Sequence, residues 1–272
     1  LFVICYWLLV VGYWLFPSCI FVCILGKTCN IALVMARLIS KGTDHGVHTF
    51  IVPLRSYENH MPLPGIELFD IGDKFGFNTV DNGGLRMNHV KIPRENMLMR
   101  YSRVEPDGTY VAPPSMTIAY GTMVYIRSWI VILSASTMAR ALTIAIRYSA
   151  VRRQFPSTED PSLESQVLNY QTQQYTLFPL LATSYAFHFV GAFMKNLYTE
   201  NQNNLNSGNL SLMAELHIAS SGLKALCTDV NAACIEACRR CCGGHGYLMT
   251  SGLIHLYADQ VAACTYEGEN VV

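Results

Sequence analysis

Glu267 stands between Tyr266 and Gly268 in the run CTYEGEN, Cys264 to Asn270. A carboxylate flanked by a ring and a glycine is either a solvated turn residue, the ordinary fate of an acidic side chain, or a general base. The second role requires neighbours that exclude water and raise its basicity. Three other clusters carry possible chemistry. In RYSAVRRQF, Arg152 and Arg153 end an apolar stretch, a position explained by an anionic partner or by exposure. In GGHGY, Gly243 to Tyr247, adjacent glycines permit positive φ and close approach of backbone to a pyrophosphate, or simply cap a helix. Cys234, Cys238 and Cys241 have a spacing used to hold iron–sulfur clusters, but at i, i+4 and i+7 they share one helix face and act there as small packing residues. His245 has no second ligand at metal spacing and reads as a helix-end histidine, so no metal site is expected.

The elements that must position these residues fall into two kinds. From Lys27 to about Arg103 the pattern is strand-like, with HTFIVPL (48–54), GIELFDIG (65–72) and GLRMNHVKIP (84–93) as the best strands. ARLISKGTDHG (36–46) reads as a loop, and the Asn-Gly of VDNGG as a hairpin turn. From about Ser115 the period becomes helical. One long helix or two run to Phe155, and a Pro-, Ser- and acid-rich loop follows. A second helical run contains Pro179, which should kink it. An Asn-rich link (200–209) precedes a third run, Leu210 to Cys242, that stops at the glycines. The expected class is α+β: an apolar segment at 1–25, a partial, barrel-like β middle domain at 26–112, and an α-helical bundle at 113–272.

Composition narrows the function. Lys plus Arg and Asp plus Glu are both 19, so nothing favours a polyanion, and nucleic acid is not an expected partner. With 51% apolar residues the chain can bury a sizeable core. Ten cysteines without a short secreted framework read as thiols in a reducing compartment. Leu1 to Leu25 carries no charge and is long enough to cross a bilayer; it reads as a membrane span, a buried segment or non-native sequence joined to a truncated chain. A membrane is a partner only in the first case.

RYSAVRRQF, YQTQQYTLFPLLA, IEACRRCCGGHGY and TYEGEN, preceded in order by DNGGLRMNHVKIPRENMLMRY, PDGTYV and YGTMVYIRS, together resemble the peroxisomal acyl-CoA oxidases, relatives of the acyl-CoA dehydrogenases. The resemblance runs from about Gly26 to Asn270. It implies a helical bundle of the dehydrogenase type and a peroxisomal, FAD-dependent enzyme of fatty acid β-oxidation. Such an enzyme converts fatty acyl-CoA to trans-2-enoyl-CoA and reduces O2 to H2O2. The resemblance makes Glu267 the base that takes the α-proton. The thioester oxygen would accept hydrogen bonds from the Glu267 N–H and the flavin ribitol, and the β-hydrogen would leave as hydride to the flavin. Arg152 and Phe155 match an Arg-x-x-Phe that reaches the FAD of a neighbouring subunit, which implies a homodimer. Gly243, Gly244 and Gly246 match a glycine turn on the same cofactor, and Gln171 a Gln beside it. Gly268 and Arg127 are expected on the substrate side, Arg127 near the CoA moiety.

The sequence departs from the family at both ends. Leu1 to Leu25 stands where the family has a helical domain and a flavin-contacting Trp-Pro-Gly run, and the chain stops at Val272 where the oxidases continue. A truncated oxidase, active or not as a fragment, is therefore expected. A dehydrogenase is the alternative, although Glu269 and Asn270 after Glu-Gly, in place of the dehydrogenases' Thr, favour the oxidase branch.

Overall fold

A computed structural model describes residues 2–3, 22–23, 26–114, 121–158 and 160–271. The readings of Leu1 to Leu25 thus lie outside the described residues, apart from two short strand pieces, as does the start of the helical region at 115–120. The chain divides into two compact units, Leu1–Ala119 and Tyr120–Val272.

The first unit holds nine strands among its described residues: β1 (Phe2–Val3), β2 (Val22–Cys23), β3 (Ile31–Ser40), β4 (Thr43–Pro53), β5 (Ile66–Asp70), β6 (Asn82–Met87), β7 (Lys91–Ile92), β8 (Arg103–Val104) and β9 (Tyr110–Val111). Its backbone is a long antiparallel hairpin of β3 and β4, beside a three-stranded sheet in the order β2-β6-β5 and the pairs β1-β7 and β8-β9. Alternation places Ala32, Val34, Ala36 and Leu38 in the core with Phe50, Val52 and Leu54, whereas Ile31, Leu33 and Met35 face outward. Two expectations are corrected here. Residues 36–46 are not a loop but the tip of the β3–β4 hairpin. Its two-residue turn, Lys41–Gly42, has φ of 49° and 78°, as tight hairpins require. Ser40 pairs with Thr43 beside the turn, and Arg37 Nε reaches across the hairpin to donate to Asp44 Oδ2 at 2.7 Å. Asn82 and Gly83 make no turn but lie within β6, where the next glycine, Gly84, is paired with Phe69, whose ring occupies the space a Cβ would take. Nor do the described strands close into a barrel: they pair two or three at a time, and each sheet stays open.

The second unit begins with one unbroken helix, α1 (Gly121–Val151), which stops short of Phe155; a short hairpin of β10 (Arg153–Pro156) and β11 (Glu164–Gln166) takes up the end of the expected helical run and flanks the expected loop. Helix α2 (Gln171–Asn206) continues through Pro179 and through most of the Asn-rich segment expected to be a link. Good intrinsic patterning on its buried face (Leu177, Phe187, Met194, Leu197) carries the helix past those polar residues to Ser207–Gly208. Helix α3 (Met213–Cys241) ends at Gly243, φ 56°, and α4 (Leu253–Val261) follows a 3-10 turn at Gly243–Tyr247. Helix α1 packs against both α2 and α3, burying Val131, Met138, Leu142 and Ala145 with Leu177, Met194, Leu216 and Ile235. Cys234 and Cys238 are wholly buried in this core, their sulfurs 4.0 Å apart, as packing residues of one helix face. On the outside of α2, Tyr185, Phe189 and Phe193 recur at helical spacing and are all half or more exposed.

Candidate active site

At the amino-terminal end of α1, four elements meet around Glu267. The chain leaves α4 through a 3-10 turn (Ala262–Cys264), and the amides of Thr265 and Tyr266 both bond to Ala262 O. It then enters the left-handed region twice in succession, at Glu267 (φ 58°) and Gly268 (φ 104°). For a glutamate this costs about 1–2 kcal/mol, so something must hold it. Two cations do. Arg127 of α1 donates from Nε to Glu267 O at 2.8 Å and from Nη1 to Ser221 Oγ at 2.9 Å. Lys224 of α3, only 2% exposed, donates from Nζ to Gly268 O at 2.6 Å and to Asn270 Oδ1 at 2.8 Å. Charge-assisted hydrogen bonds contribute roughly 1.5–3 kcal/mol each, enough to offset the strain. Gly268 suits its φ of 104°, and a Cβ there would stand 3.2 Å from Arg127 Nη2, so the guanidinium would have to shift slightly.

The carboxylate itself is the exception in this well-bonded segment. Glu267 Oε2 is buried with no hydrogen-bond partner among the described residues, and its N–H has no acceptor there either. Burial pushes the Glu267 carboxyl above its ordinary value of 4.5, opposed by the positive charges of Arg127 and then Lys224. Tyr266 beside it is raised in the same way, by burial and by the charge of Glu267. Glu269, two residues on, is exposed, and its Oε2 accepts from the Val271 amide at 2.7 Å. The structure therefore separates the two carboxylates: one half-buried with an unengaged buried oxygen, one exposed and locally bonded.

The other sequence-flagged residues gather at the opposite end of α1. Arg152, Phe155, Gln171, Gly243 and Gly244 are all exposed. They are drawn together by His245 and by three residues that sequence reading did not single out, Gln173, Tyr148 and Tyr170. Gln173 Nε2 donates to Ser149 Oγ at 2.8 Å and to Cys241 O at 2.9 Å, tying the start of α2 to the ends of α1 and α3. The Tyr148 hydroxyl and His245 Nδ1 share a hydrogen bond of 3.1 Å, and Tyr170 donates to Gln154 O at 2.9 Å. Phe155 takes φ 62° while its ring is 65% exposed. Positive φ in a bulky residue is a genuine outlier, and within the second unit its only non-glycine companion among the described residues is Glu267. The three glycines differ. At Gly243 and Gly244 an added Cβ would meet nothing, leaving open backbone. At Gly246 it would lie 2.0 Å from Arg239 O, so that glycine serves the closure of the turn onto α3.

Arg152 lies 25 residues beyond Arg127 on the same helix and its immediate extension, about 37 Å at 1.5 Å per residue. The base segment and the glycine turn are thus two separate sites. Arg127, Lys224, Ser221 and Asn270 were not readable as a set, because no local spacing links α1, α3 and the terminal segment.

Comparison with known proteins bears on both ends. Residues 120–272 match the family model "Acyl-CoA oxidase, C-alpha1 domain". The chain is 53% identical over 248 residues to peroxisomal acyl-coenzyme A oxidase 1 of Rattus norvegicus, and equally identical to that of Homo sapiens. Each match covers 91% of this chain and 37% of the relative. Among solved structures, acyl-CoA oxidase 1 of Arabidopsis thaliana superimposes with a TM-score of 0.89 at 49% identity, over 94% of this chain and 39% of that one. Acyl-CoA oxidase-2 of Caenorhabditis elegans, solved with FAD, ascaroside-CoA and ATP, gives 0.90 at 48% identity, over 92% and 38%. The chain thus spans somewhat over a third of the length of the relatives it matches. With the helical unit matched in full by the family model and both units carried at about half identity, the chain belongs to the acyl-CoA oxidase family.

Proposed function

We propose that this chain is part of an FAD-dependent acyl-CoA oxidase acting in peroxisomal fatty acid β-oxidation, and that Glu267 is its base. Residues 26–112 would be the middle domain and 113–272 the FAD and acyl-CoA domain. The observation that carries the reading is the buried, unengaged Oε2 of Glu267 on a left-handed backbone pair held by two cations. A proton α to a thioester is too weakly acidic for a solvated carboxylate. A dry one, raised above 4.5, is a stronger base. The proton passes from the α-carbon to Oε2, and the Glu267 N–H is placed to donate to the thioester oxygen as charge develops there. FAD, when bound, supplies the acceptor for the β-hydrogen and delivers the electrons to O2, giving trans-2-enoyl-CoA and H2O2. Arg127, expected near CoA, serves in this reading to hold the base segment. Gly268 contributes by allowing that segment's approach to Arg127.

The open backbone at Gly243 and Gly244 beside exposed Arg152 suits a pyrophosphate, with Phe155 and Gln171 at its margin and Gly246 shaping the turn. A single flavin dinucleotide cannot span the distance from there to Glu267. The glycine turn therefore serves the flavin of a second copy, and the working enzyme is a homodimer. The exposed aromatic row on α2 offers that copy an apolar surface.

The test is Glu267→Gln in the full-length flavoprotein, following anaerobic bleaching of the flavin after mixing with acyl-CoA. Loss of roughly 100- to 10,000-fold in the bleaching rate, with acyl-CoA still bound, is expected. Bleaching at the wild-type rate overturns the assignment.

A further inference from the structure

We propose that Lys224 is a positioning residue for the base: its buried ammonium clamps Gly268 O and Asn270 Oδ1, fixing the backbone on which Glu267 is carried and keeping a positive charge behind it. The inference rests on the reading of Glu267 as the base. It goes beyond that reading by giving a role to a side chain buried behind the base segment.

A lysine 2% exposed in the core of a helical bundle is costly unless paired. Lys224 spends its donors on the main chain and side chain of one short segment, residues 268–270, at 2.6 and 2.8 Å. That segment is in turn anchored to α3 through Asn270, whose Nδ2 donates to Asp229 Oδ1 at 2.6 Å and Thr228 Oγ1 at 2.8 Å. With Arg127 holding the carbonyl of residue 267 from α1, two successive carbonyls are each gripped by a different helix. Without Lys224 the segment keeps Arg127 at its start and the Asn270 amide at its end, but the Gly268 carbonyl between them loses its grip. Errors of about 1 Å in placing a reacting group cost on the order of 100-fold in rate.

The charged and titratable groups around the base are Arg127 from α1, Lys224 and Asp229 from α3, and Cys264 and Tyr266 from its own segment. Of these, Arg127 and Lys224 favour the ionised carboxylate. Removing the Lys224 charge must raise the Glu267 pKa. Because the ionised form is the active one, the acid limb of the rate profile must move to higher pH. A side chain that only stabilised the fold would lower the rate, if at all, without moving that limb.

The experiment follows anaerobic flavin reduction by acyl-CoA across pH in the full-length, FAD-loaded protein. Lys224→Met is expected to slow reduction by about 10- to 100-fold at neutral pH, to raise the acid-limb midpoint and to leave acyl-CoA binding intact. Lys224→Arg, which keeps the charge, recovers the midpoint. Uniform slowing with an unmoved midpoint, or no slowing, overturns the proposal. Asn270→Ala provides a second reading should the methionine variant not fold. It removes one acceptor but keeps the ammonium, so reduction slows with the midpoint in place and amide exchange at residues 266–270 quickens; unchanged rate and exchange overturn the proposal as well. Glu267→Gln run in parallel separates the two readings. Normal bleaching in that variant removes the base assignment itself, whereas an inactive Gln variant with an unmoved Lys224→Met midpoint removes only Lys224.

Discussion

The two ends of α1 solve opposite problems with the same residue types. At the Arg127 end the guanidinium is spent on a carbonyl and a hydroxyl of this chain, Lys224 is buried beside it, and the left-handed pair they hold is strained but secured. At the Arg152 end the arginine, the Phe155 ring and two glycines stand in solvent around a strained Phe155, whose preceding carbonyl, Gln154 O, accepts from Tyr170. In the proposed reading, cations turned inward position the base, and the cation left outward beside open backbone meets the pyrophosphate of a bound flavin.

If that contrast is right, substitutions at the two ends should fail in different assays. The largest effect belongs to Glu267→Gln, with bleaching lost by orders of magnitude and flavin retained. Arg152→Ala should do the reverse. Loss of a charge-assisted contact worth roughly 1.5–3 kcal/mol weakens FAD binding by about 10- to 150-fold, while the flavin that remains is reduced at the normal rate. Ultrafiltration of the bound flavin and stopped-flow bleaching on the same sample check both halves. Full flavin retention in Arg152→Ala would break the comparison.

The glycine turn sharpens it further. Gly246→Ala drives a Cβ into Arg239 O and should cost about 1–3 kcal/mol of stability or more, as overpacking does. Gly243→Ala meets no atom and bears only the penalty of φ 56°, about 1–2 kcal/mol. Thermal melts of the two variants should therefore rank Gly246 as the more damaging, with Gly243→Ala showing more of its effect on flavin retention.

The smallest expected effect is on stability against pH. Burial raises the Glu267 carboxyl in the folded state, so the fold favours its protonated form. That contribution is present in full below the ordinary value of 4.5 and is lost as pH rises through the higher folded value. At neutral pH Glu267→Gln removes the cost of a buried charge and should melt at or above the wild-type temperature, with the advantage shrinking toward pH 4. A Gln variant that melts lower at pH 7 than wild type would show that the carboxylate is better solvated than its burial implies.

Much of the fold was legible because it follows from periodicity. The helices α1, α2 and α3, the strands at 48–54, 65–72 and 84–93, and the helix stop at Gly243 are local patterns. The misreadings are local too, and share a cause. At 36–46 and at Asn82–Gly83, turn-forming residues lie in paired strands, since cross-strand partners such as Asp44 for Arg37 and Phe69 for Gly84 supply what propensity withholds. The Asn-rich stretch is helical to Asn206 because the buried face of α2 continues past Leu197 to Asn201.

Sequence by itself determined which carboxylate to examine, since TYEGEN and the motifs before it carry a family resemblance whose order along the chain needs no coordinates. It also determined that Glu267 is followed by the one residue type able to take φ 104° without penalty. What only tertiary structure decided is the difference in surroundings on which the proposed choice of Glu267 over Glu269 as base rests. That choice depends on burial of one oxygen and on two cations from residues 127 and 224, which are 140 and 43 positions away from Glu267 in sequence. Solvation and electrostatic fields are properties of where distant side chains come to rest. Two carboxylates separated by a single residue can therefore differ in chemistry while differing little in any local pattern.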